Sequence, residues 1–441
     1  MIIVDRKLEE LESAGRPLGV GLVGAGFMGS GIALQLMCFS RGLRLVAIAN
    51  RTVEKAEAAY RAGGAGEVAH ATGQAALDEA ILRGQPVVTD DPFLLCESPG
   101  IDVIIEVTGH VEYSAGVIAH AIDHGKHVVL MNAELDATVG PILNHRAAKN
   151  GVVYTTADGD QPGVIMNLYR YVQGLGFEPV LAGNIKGLQD VRRTPETQQG
   201  FAERWGQNVN MVTSFADGTK VSMEMAIVAN GTGLRCGKRG MYGPECGHVN
   251  DAPALFPHDQ LRDGGIVDYV LGAQPSPGVF VIGYHEHPRQ QHYMNLYKMG
   301  EGPFYVFYTP YHLCHFEAPT TAARAALFGD AALAPMGAPV CDVVATAKRP
   351  LQPGETLDGI GGFMTYGQLE NTGTTLSERL LPMGLAEGCR VIRPVPMDVV
   401  LTYDDVELPP GRLSDRFRVE QEQYFNPAAV AHPAFAAQLP A

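Results

Sequence analysis

Apolar positions along the chain fall into two regimes. From Leu18 to about Thr156, short apolar runs alternate with stretches in which apolar residues recur at helical spacing; beyond Pro339 the runs shorten and are separated by Pro and Gly. The first regime predicts strands near 18–23, 43–49, 87–88, 103–107, 127–131 and 152–156. It also predicts helices over 112–124, stopped by Gly125, and over 140–150, closed by Asn150-Gly151. Such alternation is α/β: a parallel, doubly wound sheet of Rossmann type, with ligands beyond the carboxyl ends of its strands. An amphipathic helix over 3–16, apolar at Ile3, Val4, Leu8 and Leu11, precedes it.

The segment 163–310 reads as α+β, with a helix over 164–175, strands over 180–185, 210–215 and 279–284, and a helix over 221–230 after the turn at Asp217-Gly218. A helix over 312–328, with His312 and His315 on one face, is expected to return over the first sheet. From 340 to 441 short strands dominate, near 343–350, 351–357, 389–393 and 399–402. The expected organisation is a dinucleotide-binding domain (1–162), a catalytic and oligomerisation domain (163–310) and a β-rich C-terminal domain (340–441), consistent with a length of 441 residues exceeding one core.

Candidate chemistry starts where the first strand breaks into glycines. In Gly24-Ala25-Gly26-Phe27-Met28-Gly29, Gly24 permits the turn, Gly26 lets backbone approach a pyrophosphate, and Gly29 lets helix pack on strand while helix N-terminal amides face the phosphates. That spacing points to a nicotinamide dinucleotide. Asn50-Arg51-Thr52 ends the second strand where an NAD site usually has a carboxylate, and a guanidinium with a hydroxyl suits a 2'-phosphate, so NADP(H) is expected over NAD. Thr108 and Gly109, after the fourth strand, are expected on the nicotinamide side, and Asn132, after the fifth, is expected to bind the cofactor.

Carboxylates gather at strand ends: Glu134 and Asp136 in one, Asp158 and Asp160 in another. They suit general acid–base work, substrate hydroxyls or a divalent metal such as Mg or Mn, or they simply cap helices. Lys186 closes an apolar strand close in sequence to Asp190, Arg192 and Arg193; its ammonium can polarise a carbonyl or supply the proton that balances hydride arrival, while an arginine can hold a phosphate or carboxylate. Lys220 and Glu224, one helical turn apart, are second candidates with Asp217. Cys236, Cys246 and His248 match no zinc spacing, and the five histidines from His285 to His315 read as polar packing.

Composition narrows the partners. The net charge of -15 with no basic cluster argues against nucleic acid and acidic membranes, and no apolar run approaches a membrane span. The seven scattered cysteines lack a Cys-x-x-Cys pair and fit a reducing, cytoplasmic setting; the first seventeen residues show no signal-peptide core.

From Leu18 to about Phe328 the chain resembles homoserine-dehydrogenase-like oxidoreductases, through Gly24-Ala25-Gly26, Asp102-Val-Ile-Ile-Glu-Val-Thr-Gly109 and Val128-Val-Leu-Met-Asn132. That family follows the last Asn with a catalytic-site Lys, whereas Ala133 and Glu134 stand here, so its substrate and proton chemistry do not transfer whole. Within the group the chain looks most like the deoxyxylulose-phosphate reductoisomerase-like branch, by Asn132-x-Glu134-x-Asp136, Gly159-Asp160-x-x-Gly163, Asn184-Ile-Lys186-Gly and Arg193-Thr-Pro-Glu-Thr197. Two stretches of the tail, 345–357 and 393–401, resemble the halves of a SAF-type β-clip module.

These resemblances imply an NADPH-dependent oxidoreductase of a small, polyol-like, phosphorylated carbonyl substrate, with reduction coupled to rearrangement in the manner of an isoprenoid-precursor step. They imply catalytic roles for Lys186, Glu134 and Asp160, and a homodimer or homotetramer. A simple dehydrogenase of a sugar acid or homoserine-like alcohol, and an NADP-binding sensor or scaffold without turnover, are the alternatives.

Overall fold

The computed structural model describes residues 4–426, and contacts divide these into two compact units, each treated by itself. Unit 1 comprises the residues up to Asp136, Ile142–Asp160 and Leu313–Ala334. In chain order it begins with α1 (Val4–Ser13), β1 (Leu18–Val23), α2 (Phe27–Cys38), β2 (Leu43–Ala49), α3 (Val53–Ala62), β3 (Ala69–His70), α4 (Gln74–Leu82) and β4 (Val87–Thr89). It continues with α5 (Pro92–Glu97), β5 (Val103–Glu106), α6 (Val111–Asp123), β6 (His127–Leu130), α7 (Ala133–Lys149) and β7 (Tyr154–Thr156). Ile3, placed on the first helix by its spacing, lies outside the described residues.

The seven strands form one parallel sheet in the order β3-β4-β2-β1-β5-β6-β7. The chain runs outward from β1 on one side and then returns to place β5 on the other, so the topological switch lies between β1 and β5, where open α/β sheets bind ligands. Val20, Leu22, Ile48, Val103 and Ile105 are fully buried because helices cover the faces. The helix Cys314–Phe328, α14 in chain order, supplies Ala318, Ala322 and Ala323 to this core, as its apolar spacing suggests. It starts after His312, however, so His312 and His315 do not share a helical face; His315 packs on Gly31 of α2.

Unit 2 comprises residues 137–141, Gln161–His312 and the chain from Pro335. Its elements are α8 (Gln161–Gly174), β8 (Glu178–Lys186), α9 (Pro195–Trp205), α10 (Val209–Ala216), α11 (Thr219–Thr232), β9 (Arg235–Cys236), α12 (His258–Arg262), β10 (Ile266–Leu271), β11 (Gly278–Tyr284), α13 (Pro288–Leu296) and β12 (Phe304–Thr309). After α14 come β13 (Cys341–Ala347), β14 (Thr365–Asn371), α15 (Thr372–Ser377), β15 (Arg390–Val391), β16 (Val406–Glu407) and α16 (Leu413–Phe425). A mixed sheet, β12-β11-β8-β10-β9, buries Val180, Ile185, Val270, Phe280 and Ile282 against Val249, Phe256 and Leu261.

Helix α11 is buried at nearly every position from Val221 to Gly231 because it contacts β8 and β10 as well as β13 and β14. The C-terminal strands are therefore built into unit 2, and the stretch from 340 does not stand apart from 163–310. Buried Arg418 fastens α16 to this layer, 2.5 Å from Asp342 and 2.7 Å from Glu422. Two further differences from the sequence reading are local. Residues 210–215 form helix α10, not a strand, because Asn208 caps it by accepting from the amides of Asn210 and Met211. Helix α7 begins at Ala133, seven residues before 140, because Asn132 caps it through Leu135 N–H. Among the described residues no helix is long and apolar enough to cross a membrane.

Candidate functional site

The glycine turn after β1 has the features that backbone chemistry requires. Gly24 sits at φ +107°, which a side chain rarely tolerates, and a Cβ on Gly29 would lie 2.1 Å from Gly24 O. At Gly26 the position of a Cβ is open, with nothing within 4 Å, and no side chain caps the amides of α2. An anionic diphosphate fits that open approach to a helix N-terminus. Phe27, 49% exposed, and the half-buried Met28 begin the helix beside it.

Asn50 closes β2 and steadies the turn: its Oδ1 accepts from Ala25 N–H at 2.9 Å and its Nδ2 donates to Thr52 O at 2.7 Å. Arg51 and Thr52 are exposed at the start of α3, and the N-cap hydroxyl of Thr52 is not engaged in capping.

At the switch point the structure shows a group that the sequence reading passed over. Glu106, fully buried at the end of β5, takes hydrogen bonds from Thr108 N–H at 2.8 Å, Thr108 Oγ1 at 2.5 Å, Ser114 Oγ at 2.8 Å and Asn132 Nδ2 at 2.8 Å. Burial pushes its carboxyl above the usual range, and these donors, Thr108 foremost, pull it back. The side chains of Thr108 and Asn132 thus brace the loop, and Gly109 follows at φ +72°. A single Glu inside Val-Ile-Ile-Glu-Val was the available signal, because a carboxylate in a buried strand needs partners.

The acidic candidates do not act alike. Glu134 and Asp136 lie in the first turn of α7 and are both buried. Asp136 accepts from Tyr154 OH at 3.0 Å and Thr156 Oγ1 at 2.7 Å, and burial pushes its carboxyl up to about 6. Asp158 is an anchor for α14, held by Arg324 at 2.8 Å and by Thr321, and Asp160 is buried immediately before α8. The oxygens of Asp136 are committed to neighbouring hydroxyls. Among the described residues, the one gathering of three metal-type ligands is elsewhere, at Glu97, His120 and His124.

In unit 2, Lys186 at the carboxyl end of β8 is the best-placed cation. Its Nζ lies 3.0 Å from Glu224 Oε2 on α11; the lysine side chain is 16% exposed and the glutamate 1%. Asn184, two residues back on the same strand, donates to that oxygen at 2.6 Å. Lysine, carboxylate and amide form a relay that fixes the ammonium. Leu271, paired with Lys186 in the sheet, lines a cavity of about 170 Å³ with Gln189, Val191, Ser222, Tyr269 and Tyr366. Lys220 is half-buried in the first turn of α11.

Asp217 has a structural tie: it is fully buried and paired at 2.7 Å with Lys348, itself buried. Arg192 reaches Asp398 at 2.5 Å and Arg193 reaches Asp190 at 3.0 Å, so both guanidiniums already hold carboxylates. The thiols of Cys236 and Cys246 donate to Lys238 O and His248 O.

A glycine turn at the switch point of a seven-stranded parallel sheet defines an α/β dinucleotide-binding protein. Residues 24–156 match the family described as homoserine dehydrogenase, NAD binding domain, and residues 159–318 match oxidoreductase DRL, catalytic domain. The chain thus carries a homoserine-dehydrogenase-like, nicotinamide-dinucleotide-binding domain followed by a DRL-type oxidoreductase domain.

Among curated relatives, the homoserine dehydrogenase of Methylobacillus glycogenes is 31% identical over 28% of this chain and 26% of its own. That of Pseudomonas aeruginosa is 29% identical over 40% of this chain and 32% of its own. The chain therefore spans about a quarter to a third of the length of the curated relatives it matches. A solved homoserine dehydrogenase from Thiobacillus denitrificans is 22% identical over half of each chain, with a TM-score of 0.35.

Proposed function

We propose that the chain is an NADPH-dependent oxidoreductase acting on a small polyol-like carbonyl or hydroxy compound. The observation that carries the reading is the Lys186–Glu224–Asn184 relay, in a chain whose other unit holds an open glycine turn fit for a dinucleotide. Nicotinamide, when bound, supplies or accepts the hydride. The chain's residues do the rest. Lys186 donates a hydrogen bond to the substrate oxygen and supplies the proton that balances hydride arrival; Glu224, held by Asn184, aims the ammonium. Preference for the 2'-phosphate rests on exposed Arg51 and on the Thr52 hydroxyl at the N-terminus of α3.

Of the two chemistries, the simple dehydrogenase is better supported than a metal-assisted reductoisomerase. Asp136 spends its oxygens on Tyr154 and Thr156, and Glu134, Asp136 and Asp160 do not converge as a three-ligand set. The test is NADPH consumption across a panel of deoxyxylulose phosphate, sugar acids and homoserine-like alcohols or aldehydes, with and without chelator. Turnover that survives chelation and is lost in Lys186→Met supports the reading. Tight NADPH binding without turnover of any panel member points instead to a sensor.

A further inference from the structure

We propose that Glu97, His120 and His124 form a binding site for a divalent transition-metal ion, Zn²⁺ first, on unit 1 and apart from its glycine turn. Glu97 ends α5; His120 lies in the last turn of α6 and His124 is its C-cap. The four-residue spacing of the histidines sets both imidazoles on one helical face, and Glu97 meets them from the neighbouring helix. One ligand atom from each residue lies within 4.8 Å of the others. His120 Nε2 is already 2.9 Å from Glu97 Oε1. In a tetrahedral zinc site with bonds of ~2.0–2.1 Å, ligand atoms sit roughly 3.3 Å apart, so small side-chain rotations bring the set to bonding distance.

A second feature points the same way. His124 Nδ1 lies 2.8 Å from the carbonyl oxygen of His120, which can only accept. Nδ1 must therefore carry the proton, leaving Nε2 as the basic nitrogen, and metal-bound histidines are commonly oriented by such an N–H to carbonyl bond. The imidazoles lie 4.1 Å apart between centroids, and Phe93 packs edge-on against His120 at 4.9 Å, limiting its rotation. The carbonyl end of α6 favours a cation. Lys126, the nearby ammonium, is turned inward to Ser98 O and Ile101 O.

Two imidazoles and one carboxylate suit Zn²⁺, Co²⁺ or Ni²⁺ and leave a position for water. Because α6 runs from the carboxyl end of β5 to the start of β6, the site lies at the amino ends of these strands, and the glycine turn lies at the carboxyl end of β1. Its role is to clamp α5 to α6, not to meet substrate.

The experiment uses the full chain, stripped with a chelator and then titrated with Zn²⁺ by calorimetry and with Co²⁺ by visible absorption. The expected result is one ion per chain, a rise in thermal midpoint on loading, and binding weaker by at least about 100-fold in His124→Gln and His120→Gln. His292→Gln, an exposed histidine of unit 2, leaves binding unchanged. Absence of stoichiometric binding, or binding that His124→Gln does not weaken, overturns the proposal. The Co²⁺ spectrum of the unsubstituted chain decides independently of any variant: imidazole-type tetrahedral bands support it, and a spectrum of hydrated Co²⁺ refutes it.

Discussion

Replacing Lys186 by Met keeps most of the side-chain stem and removes the charge that sits 3.0 Å from Glu224. Two effects follow, and they separate. If the ammonium steadies negative charge developing on the substrate oxygen, its loss lowers kcat by about 10²- to 10³-fold, the range for a lost electrostatic donor. Stability falls as well, because Glu224, 1% exposed, loses its counter-charge; breaking a buried pair costs roughly 3–5 kcal/mol. The lower end applies, since the bond from Asn184 remains and Lys186 is partly wetted. The double variant Lys186→Met with Glu224→Gln removes both charges and should recover most of the stability, as paired replacement of ions generally does.

Turnover should stay low in the double variant, because the missing group is the ammonium. The assay is steady-state NADPH oxidation beside urea unfolding, with NADPH affinity measured by fluorescence to show that the cofactor still binds. Unaltered kcat in the single variant, or kcat restored along with stability in the double, would reduce Lys186 to a structural ion and refute the reasoning.

Three further outcomes follow. Arg51→Glu should weaken NADPH by at least about tenfold and NADH little, since a like charge would face the 2'-phosphate; equal losses in fluorescence titrations count against that role. Gly26→Ala should fold normally but bind NADPH poorly, because its Cβ enters open space, whereas Gly29→Ala should lower the thermal midpoint, its Cβ meeting Gly24 O; similar behaviour of the two would contradict the cradle. Asp136, raised from 3.8 to about 6, weakens stability as pH rises: below pH 4 it is protonated folded or unfolded, and between 4 and 6 the unfolded chain ionises first. The loss reaches about 3 kcal/mol above pH 6, so Asp136→Asn should flatten the denaturation midpoint across that window, and parallel pH profiles would argue otherwise.

Much of unit 1 was legible in the sequence. Its strands are short, buried and parallel, so they appear as bare apolar runs between helical spacings, and the glycines at 24 and 29 each answer a local steric demand while Gly26 leaves the approach to the helix open. The run at 210–215 misled because six apolar-rich residues fit strand or helix equally, and the deciding signal, Asn208 as a cap, lies outside the run. Asn132, a cofactor candidate from the sequence, has a further task that the sequence did not show: its side chain caps α7 and braces Glu106.

The sequence by itself determined what depends on neighbours a few residues away: the strand–helix alternation, the glycine turn, the cation closing β8. Only the tertiary structure decided which charges are spent on one another. Asp217 meets Lys348, Asp158 meets Arg324 and Asp342 meets Arg418 across long stretches of chain. Lys186 and Asn184, from one strand, both donate to Glu224 on α11. A buried charge must find its partner wherever the fold brings one, and no local pattern encodes that distance.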